Sequence, residues 1–298
     1  MVTSNLSKNV PWQFCVFGVT KMKVTFTLFY CILVLLNATN LSSLRADTKK
    51  EAIQITKTST NVRFGLLGKK PVKPAPTLFI FSGTIEESLG DSYFRQCGNM
   101  LYEQGYLCIS LDLPCHGVDK RSDEPNGLDG WRYRIDHNES IFTDFNAKVS
   151  KVLNYLISED YTDSSKVSVC GTSRGGFIAA NYAAADRRMK CIAMFCPVTD
   201  LLKLQEFKNV RNYDMVDSMS LVNLAERLVG RPVWLVIGDQ DTRVDTDSAI
   251  AFARTVSQVS GKKSQMELHI MPEPGGHVTP KGSAESAAKW IIKNMGQV

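Results

Sequence analysis

Three residue types that together can move a proton and form a covalent bond stand at distinctive places in this chain. Ser173 is the centre of Gly171-Thr-Ser-Arg-Gly175, a Gly-x-Ser-x-Gly pentapeptide. A β-branched run, Val167 to Cys170, precedes it, and an Ala-rich segment suited to a helix follows, reaching Ala180. Such a setting is a strand-to-helix turn so tight that glycines must flank the serine, and it leaves the hydroxyl exposed above the carboxyl end of a sheet. The helix behind it turns its first N–H groups, and its positive dipole end, toward any oxyanion that develops there. The pentapeptide alone is a weak signal. The strand before it and the helix after it are what single it out.

A serine hydroxyl is a poor nucleophile until a base takes its proton and a third group orients that base. The sequence holds four histidines. His269 lies inside a strand-like run and reads as structural, His137 sits in a polar loop, and His116 reads as shaping the loop after the fourth strand. His277, in Pro274-Gly-Gly-His-Val278 after the eighth strand, combines a flexible approach with the right end of the sheet and is the candidate general base. For the orienting acid, Asp241 follows the seventh strand in Gly238-x-x-Asp-x-x-Val244. Asp239 and Asp245 compete with it, although either could instead cap a loop or the next helix. Acyl transfer through a serine ester is the chemistry such a trio performs, and it calls for no cofactor and no metal.

These residues need a scaffold that brings distant segments to one rim. Glu51–Lys57 and Val62–Leu67 read as a hairpin, and Thr77–Ser82 as a continuous apolar strand followed by a helix over about 87–104. Tyr106–Leu113 is the next strand, and a polar loop over 118–140 carries Trp131 and Tyr133, read either as lining an acyl pocket or as anchoring the loop. Phe142, Phe145, Val149, Val152, Leu153 and Leu156 keep helical spacing ahead of the serine turn. Lys190–Cys196, Pro232–Ile237 and Met266–Met271 read as strands, with helices over 247–257 and 283–293 and a looser stretch over 198–230. Strands that alternate with helices and are apolar throughout predict an α/β fold: a mainly parallel eight-stranded sheet covered by helices on both faces, with an N-terminal antiparallel hairpin.

On these motifs the chain resembles the α/β-hydrolase superfamily over roughly residues 50–298. The resemblance rests on the serine turn, the Gly-x-x-Asp-x-x-Val acid loop, the Gly-Gly-His loop and Asp112-x-Pro-x-His-Gly117. Gly-Thr-Ser-Arg-Gly-Gly-Phe177 is similar to the catalytic domains of prolyl-oligopeptidase relatives and of dienelactone-hydrolase-like esterases. The resemblance implies the order nucleophile Ser173, acid Asp241, base His277. It also implies an oxyanion hole built from the backbone N–H of Arg174 and that of Thr84, in the loop after the third strand, where Ser82-Gly83 replaces the more usual His-Gly. The Arg174 side chain is read as packing beside the turn in preference to contacting an anionic substrate. The stretch between the sixth and seventh strands is too short and too polar for a large lid. A carboxylic ester or thioester is the expected substrate. A short peptide, cleaved by a small exported peptidase, is the alternative, and a non-catalytic binding protein on the same scaffold is a third reading.

The net charge of +5 is concentrated at one end: residues 1–46 carry Lys8, Lys21, Lys23 and Arg45 and no acid, so the rest of the chain is close to neutral. With no basic run there, nucleic acid is not an expected partner. Val24 to Leu36 is apolar but for Thr25 and Thr27, and it follows Lys21 and Lys23, the pattern of a signal peptide, with Met22 an alternative start. The expected organisation is a leader over 1–46, cleaved after Ala46 or retained as a membrane anchor, then a catalytic domain over 47–298, secreted or periplasmic. Cys15 and Cys31 fall in the leader; Cys97, Cys108, Cys115, Cys170, Cys191 and Cys196 read mostly as core filling, with a disulfide conceivable at Cys97 or Cys115.

Overall fold

The structure, a computed structural model, describes residues 52–295. The expected leader, the bond after Ala46 and the apolar run 24–36 lie outside the described residues. Eight strands form one sheet: β1 (Ile53–Lys57), β2 (Arg63–Leu67), β3 (Ala75–Phe81), β4 (Leu107–Ser110), β5 (Thr162–Thr172), β6 (Met189–Phe195), β7 (Val233–Gly238) and β8 (Met266–Met271). Their spatial order is β1-β2-β4-β3-β5-β6-β7-β8. The β1–β2 hairpin joins β4 antiparallel, and every later pairing is parallel.

The continuous apolar strands are explained by alternation between two cores. Phe79 and Phe81 of β3, Ile192 and Met194 of β6, and Leu235 and Ile237 of β7 enter one core. Leu78 and Ile80, Ala193 and Phe195, and Trp234 and Val236 enter the other. Side chains at successive strand positions point to opposite faces, so a strand covered twice must be apolar at every position. The helices divide accordingly. Residues of α1 (Ile85–Gly90), α3 (Gly98–Glu103) and α9 (Ser283–Met295) join the second core. Those of α4 (Gly127–Asp136), α5 (Thr143–Ser158), α6 (Arg174–Ala185) and α8 (Thr246–Ser260) join the first.

The region expected as one helix over 87–104 is three: α1, then α2 (Ser92–Arg95), then α3. Asp91 ends α1 in an extended conformation and its side chain accepts from Tyr93 N–H, capping α2, while Gln96 at φ 49° turns the chain again before α3. In the stretch 198–230, α7 (Tyr213–Ser218) and short 3-10 turns bury Leu201, Leu204, Phe207, Val216, Leu221 and Leu228. The six cysteines among the described residues are free and buried, Cys97 and Cys115 included. Among the described residues no helix is long and apolar enough to cross a membrane.

The expected polar loop over 118–140 contains α4. Leu128, Trp131 and Ile135 form its buried face, and Trp131 is fully enclosed, its indole N–H donating to the Pro114 carbonyl at 2.6 Å. Trp131 therefore anchors the segment and does not line a pocket. Buried charge fixes the approach to α4: Arg134 reaches Glu124 at 2.7 Å and Asp119 at 3.0 Å, and Arg121 meets the same Glu124 at 2.9 Å. Burial raises the Glu124 pKa, but the hydrogen bonds and charges of Arg134 and Arg121 outweigh it and hold the carboxyl at about 2. A folded-state pKa below the unfolded value of about 4.3 adds stability that is present above that pH and lost as pH falls toward 2. Glu124→Gln should therefore unfold at lower urea than wild type at pH 7, by about 3 kcal/mol for a broken buried ion pair. Urea melts at several pH values should show this gap closing below pH 4.

Candidate active site

The geometry of β5 and α6 puts Ser173 at the rim. Its φ of 55° and ψ of −119° place it in a conformation that side-chain-bearing residues rarely adopt, at a cost of order 1–3 kcal/mol. The surroundings hold it there. Ser173 N–H donates to the Phe195 carbonyl at 2.9 Å, and its own carbonyl accepts from Gly176 and Val198 N–H at 3.0 and 3.1 Å. Both glycines of the pentapeptide are required by close backbone approach. A Cβ on Gly175 would stand 1.9 Å from the Phe81 carbonyl oxygen, and one on Gly171 would stand 2.2 Å from Gly175 backbone.

Two other strand ends converge on this hydroxyl. His277 Nε2 lies 3.0 Å from Ser173 Oγ, and His277 Nδ1 lies 2.8 Å from Asp241 Oδ2. Asp241 is buried, and its Oδ1 accepts from the Arg243 and Val244 N–H groups at 3.1 and 3.2 Å. With those bonds fixing one oxygen, the other is left to accept from Nδ1–H. Nε2 is thereby left to accept from the serine. The loop bearing His277 is moored at several points: Glu273 N–H donates to Asp239 Oδ1, Cys196 Sγ to the Val278 carbonyl, and Gln96 Nε2 to Thr279 Oγ1.

The competing acids are occupied elsewhere. Asp239 makes that loop contact, and Asp245 bonds Ser248 Oγ at 2.7 Å and Lys203 at 3.2 Å. Among the other histidines, His116 is buried with Nδ1 2.8 Å from the Pro114 carbonyl, His137 meets the Tyr133 carbonyl at the end of α4, and His269 on β8 packs against Trp234. Burial and then the nearby Arg174 charge push His116 below the ordinary histidine pKa, favouring its neutral form. Among the described residues no group of three or more His, Cys, Asp or Glu could hold a metal ion.

The expected oxyanion donors fare differently. Arg174 begins α6, so its N–H is one of the first-turn groups without a partner inside the helix. Thr84 N–H, by contrast, donates to Glu87 Oε2 at 3.3 Å, while Thr84 Oγ1 accepts from Glu87 N–H at 3.1 Å. This is a complete capping box at the start of α1, so the Thr84 N–H already has an acceptor in Glu87. Glu87 itself was not singled out in the sequence, although Thr84-x-x-Glu87 carries the capping-box signature. Arg174 Nη2 lies 3.4 Å from Glu87, and Arg243 pairs with Glu206 through two bonds.

A family model described as "Prolyl oligopeptidase family" matches residues 136–293. Acylamino-acid-releasing enzyme 1 of Oryza sativa subsp. japonica is 23% identical over 249 residues, 74% of this chain and 30% of that protein. Inactive dipeptidyl peptidase 10 of Mus musculus is 23% identical over 137 residues, 43% of this chain and 17% of that one. The chain thus spans less than a third of the length of these curated relatives. Among solved structures, the Pyrococcus furiosus esterase Pf2001 superposes with a TM-score of 0.59 at 16% identity, covering 83% of this chain and 93% of that one. That likeness shows the α/β-hydrolase fold.

Proposed function

The chain belongs to the prolyl oligopeptidase family and is a serine hydrolase, and from that premise we propose that it cleaves carboxylic esters or thioesters through an acyl-enzyme on Ser173. The observation that carries this reading is the continuous relay from Ser173 Oγ through His277 to Asp241, at 3.0 and 2.8 Å. His277 takes the hydroxyl proton as Oγ attacks the carbonyl, and Asp241 holds the imidazole in the accepting tautomer and stabilises the cation that forms. The same proton then goes to the leaving group, and water resolves the acyl-enzyme by the reverse path. An ester needs less protonation of its leaving group than an amide does.

The alternative is cleavage of short peptides, and the similarity to an acylamino-acid-releasing enzyme supports keeping it. The similarity to an inactive dipeptidyl peptidase of mouse keeps the non-catalytic reading in view. A fluorophosphonate probe should label Ser173 of the folded protein. Rates on short p-nitrophenyl esters should exceed those on dipeptide naphthylamides by at least tenfold. The reverse ranking makes the protein a peptidase, and absent labelling returns it to the binding-protein reading. The acid-free basic leader ahead of an apolar run supports export.

A further inference from the structure

We infer that the Arg174 side chain, in place of Thr84 N–H, is the second donor to the oxyanion, which makes its guanidinium a catalytic group. The inference rests on the serine-hydrolase reading of Ser173.

The loop after β3 should supply a donor facing the nucleophile, and here it does not. Thr84 N–H is committed to the Glu87 carboxylate, and that carboxylate covers the face of the loop: a Cβ on Gly83 would lie 1.9 Å from Glu87 Oε2. A bare carboxylate at this position would repel a developing negative charge. The same would-be Cβ lies 2.9 Å from Arg174 Nη2, so the guanidinium covers the same face, against Glu87. Arg174 follows the nucleophile directly, so one residue can present both a backbone N–H and a side-chain cation to the space above Ser173.

The guanidinium also has spare donors. Its contact with Glu87 is long, at 3.4 Å, and its Nε is buried without a partner. Arg243 is committed to Glu206 through two bonds, and the other neighbour, His116, is pushed toward its neutral form, so Arg174 is the cation with donors to spare. As Oγ attacks and the carbonyl π pair moves onto oxygen, that oxygen gains a full charge. The accessible Nη donors, on a side chain that is 29% exposed, then find an acceptor only in the transition state, the condition for a contact to speed the reaction. Glu87 holds the cation in place and keeps the resting site near neutral.

The test compares wild type with Arg174→Gln and Arg174→Lys on a neutral ester, p-nitrophenyl acetate, with thermal melts to establish folding. We expect kcat to fall 10²- to 10³-fold in Arg174→Gln with KM changed less than threefold, as for loss of an oxyanion donor, and Arg174→Lys to recover part of the loss. The inhibition constant of a trifluoromethyl ketone, whose serine adduct carries the same oxyanion, should weaken by the same factor as kcat/KM falls. A merely structural arginine would lower the melting temperature without that correlation. If folded Arg174→Gln or Arg174→Lys keeps wild-type kcat and inhibitor affinity while fluorophosphonate still labels Ser173, the inference is overturned and the hydrolase reading survives. If the loss appears only on carboxylate-bearing esters, the arginine reads a substrate anion and the inference is equally overturned. Unlabelled, inactive wild type removes both.

Discussion

Ser173→Ala is expected to lower kcat on p-nitrophenyl esters by about 10⁶-fold, and the double variant Ser173→Ala/His277→Ala to be no slower than either single one. The first figure corresponds to about 8 kcal/mol of transition-state stabilisation. It is that large because the hydroxyl is the only atom that forms the covalent bond. The second expectation follows from the 3.0 Å contact between Oγ and Nε2. Each group acts only through the other, so removing both costs no more than removing one. Fold should be kept, since the backbone of residue 173 is held by bonds to Phe195, Gly176 and Val198 that do not involve the side chain. Relief of strain at φ 55° is not on offer to alanine either, so the melting temperature should move little. A double variant at least tenfold slower than both singles would mean that the two side chains act independently, and the relay would be rejected.

The scaffold was legible because its signals are local and repeated. A strand buried on both faces announces itself along most of its length, as β3, β6 and β7 do, and the hairpin and the closing helix fall close to where their residues placed them. The α4 helix was hidden for a physical reason. Gly127-Leu-Asp-Gly-Trp-Arg-Tyr-Arg-Ile-Asp has two glycines and five polar or aromatic neighbours around three apolar anchors, so its average hydrophobicity reads as loop. The spacing of Leu128, Trp131 and Ile135 is the signal that remained. Its stability comes from outside the helix, through Trp131 on Pro114 and Arg134 on Glu124, and no local pattern encodes such partners.

The candidate site divides in the same way. Ser173, Asp241 and His277 are separated by dozens of residues, yet each follows a strand of a parallel sheet, so one edge collects them without further information. The surrounding charge is different in kind. Glu206 lies in the irregular stretch after β6 and meets Arg243 across 37 positions of sequence, and nothing periodic marks either residue. Glu87 did carry a mark, Thr84-x-x-Glu87, but that motif speaks of a helix start and only the folded chain shows that this start meets Arg174, the residue after Ser173. Topology explains where the reacting side chains meet. The tuning of the space above them depends on long side chains whose reach is settled by tertiary packing.

Asp241→Asn should lower kcat by about 10⁴-fold while leaving the fold and KM close to wild type. The two side chains have the same shape, and the reason for the loss lies in which atoms can donate. Oδ1 of Asp241 accepts from Arg243 and Val244 N–H, and an asparagine must keep its amide oxygen there, since two N–H groups cannot face an NH₂. The NH₂ is then turned toward His277 Nδ1, which must become an acceptor. The ring proton moves to Nε2, the nitrogen facing Ser173, and the base can no longer take the hydroxyl proton. Asp239→Asn is the matched control. Asp239 accepts from Glu273 N–H at the foot of the same loop, so this variant should loosen the loop and cost less than about tenfold. Steady-state kinetics of the two variants on one ester would separate the roles. Were Asp241→Asn to keep more than a tenth of wild-type kcat, the buried carboxylate would be a loop cap, and His277 would have to be oriented by something else.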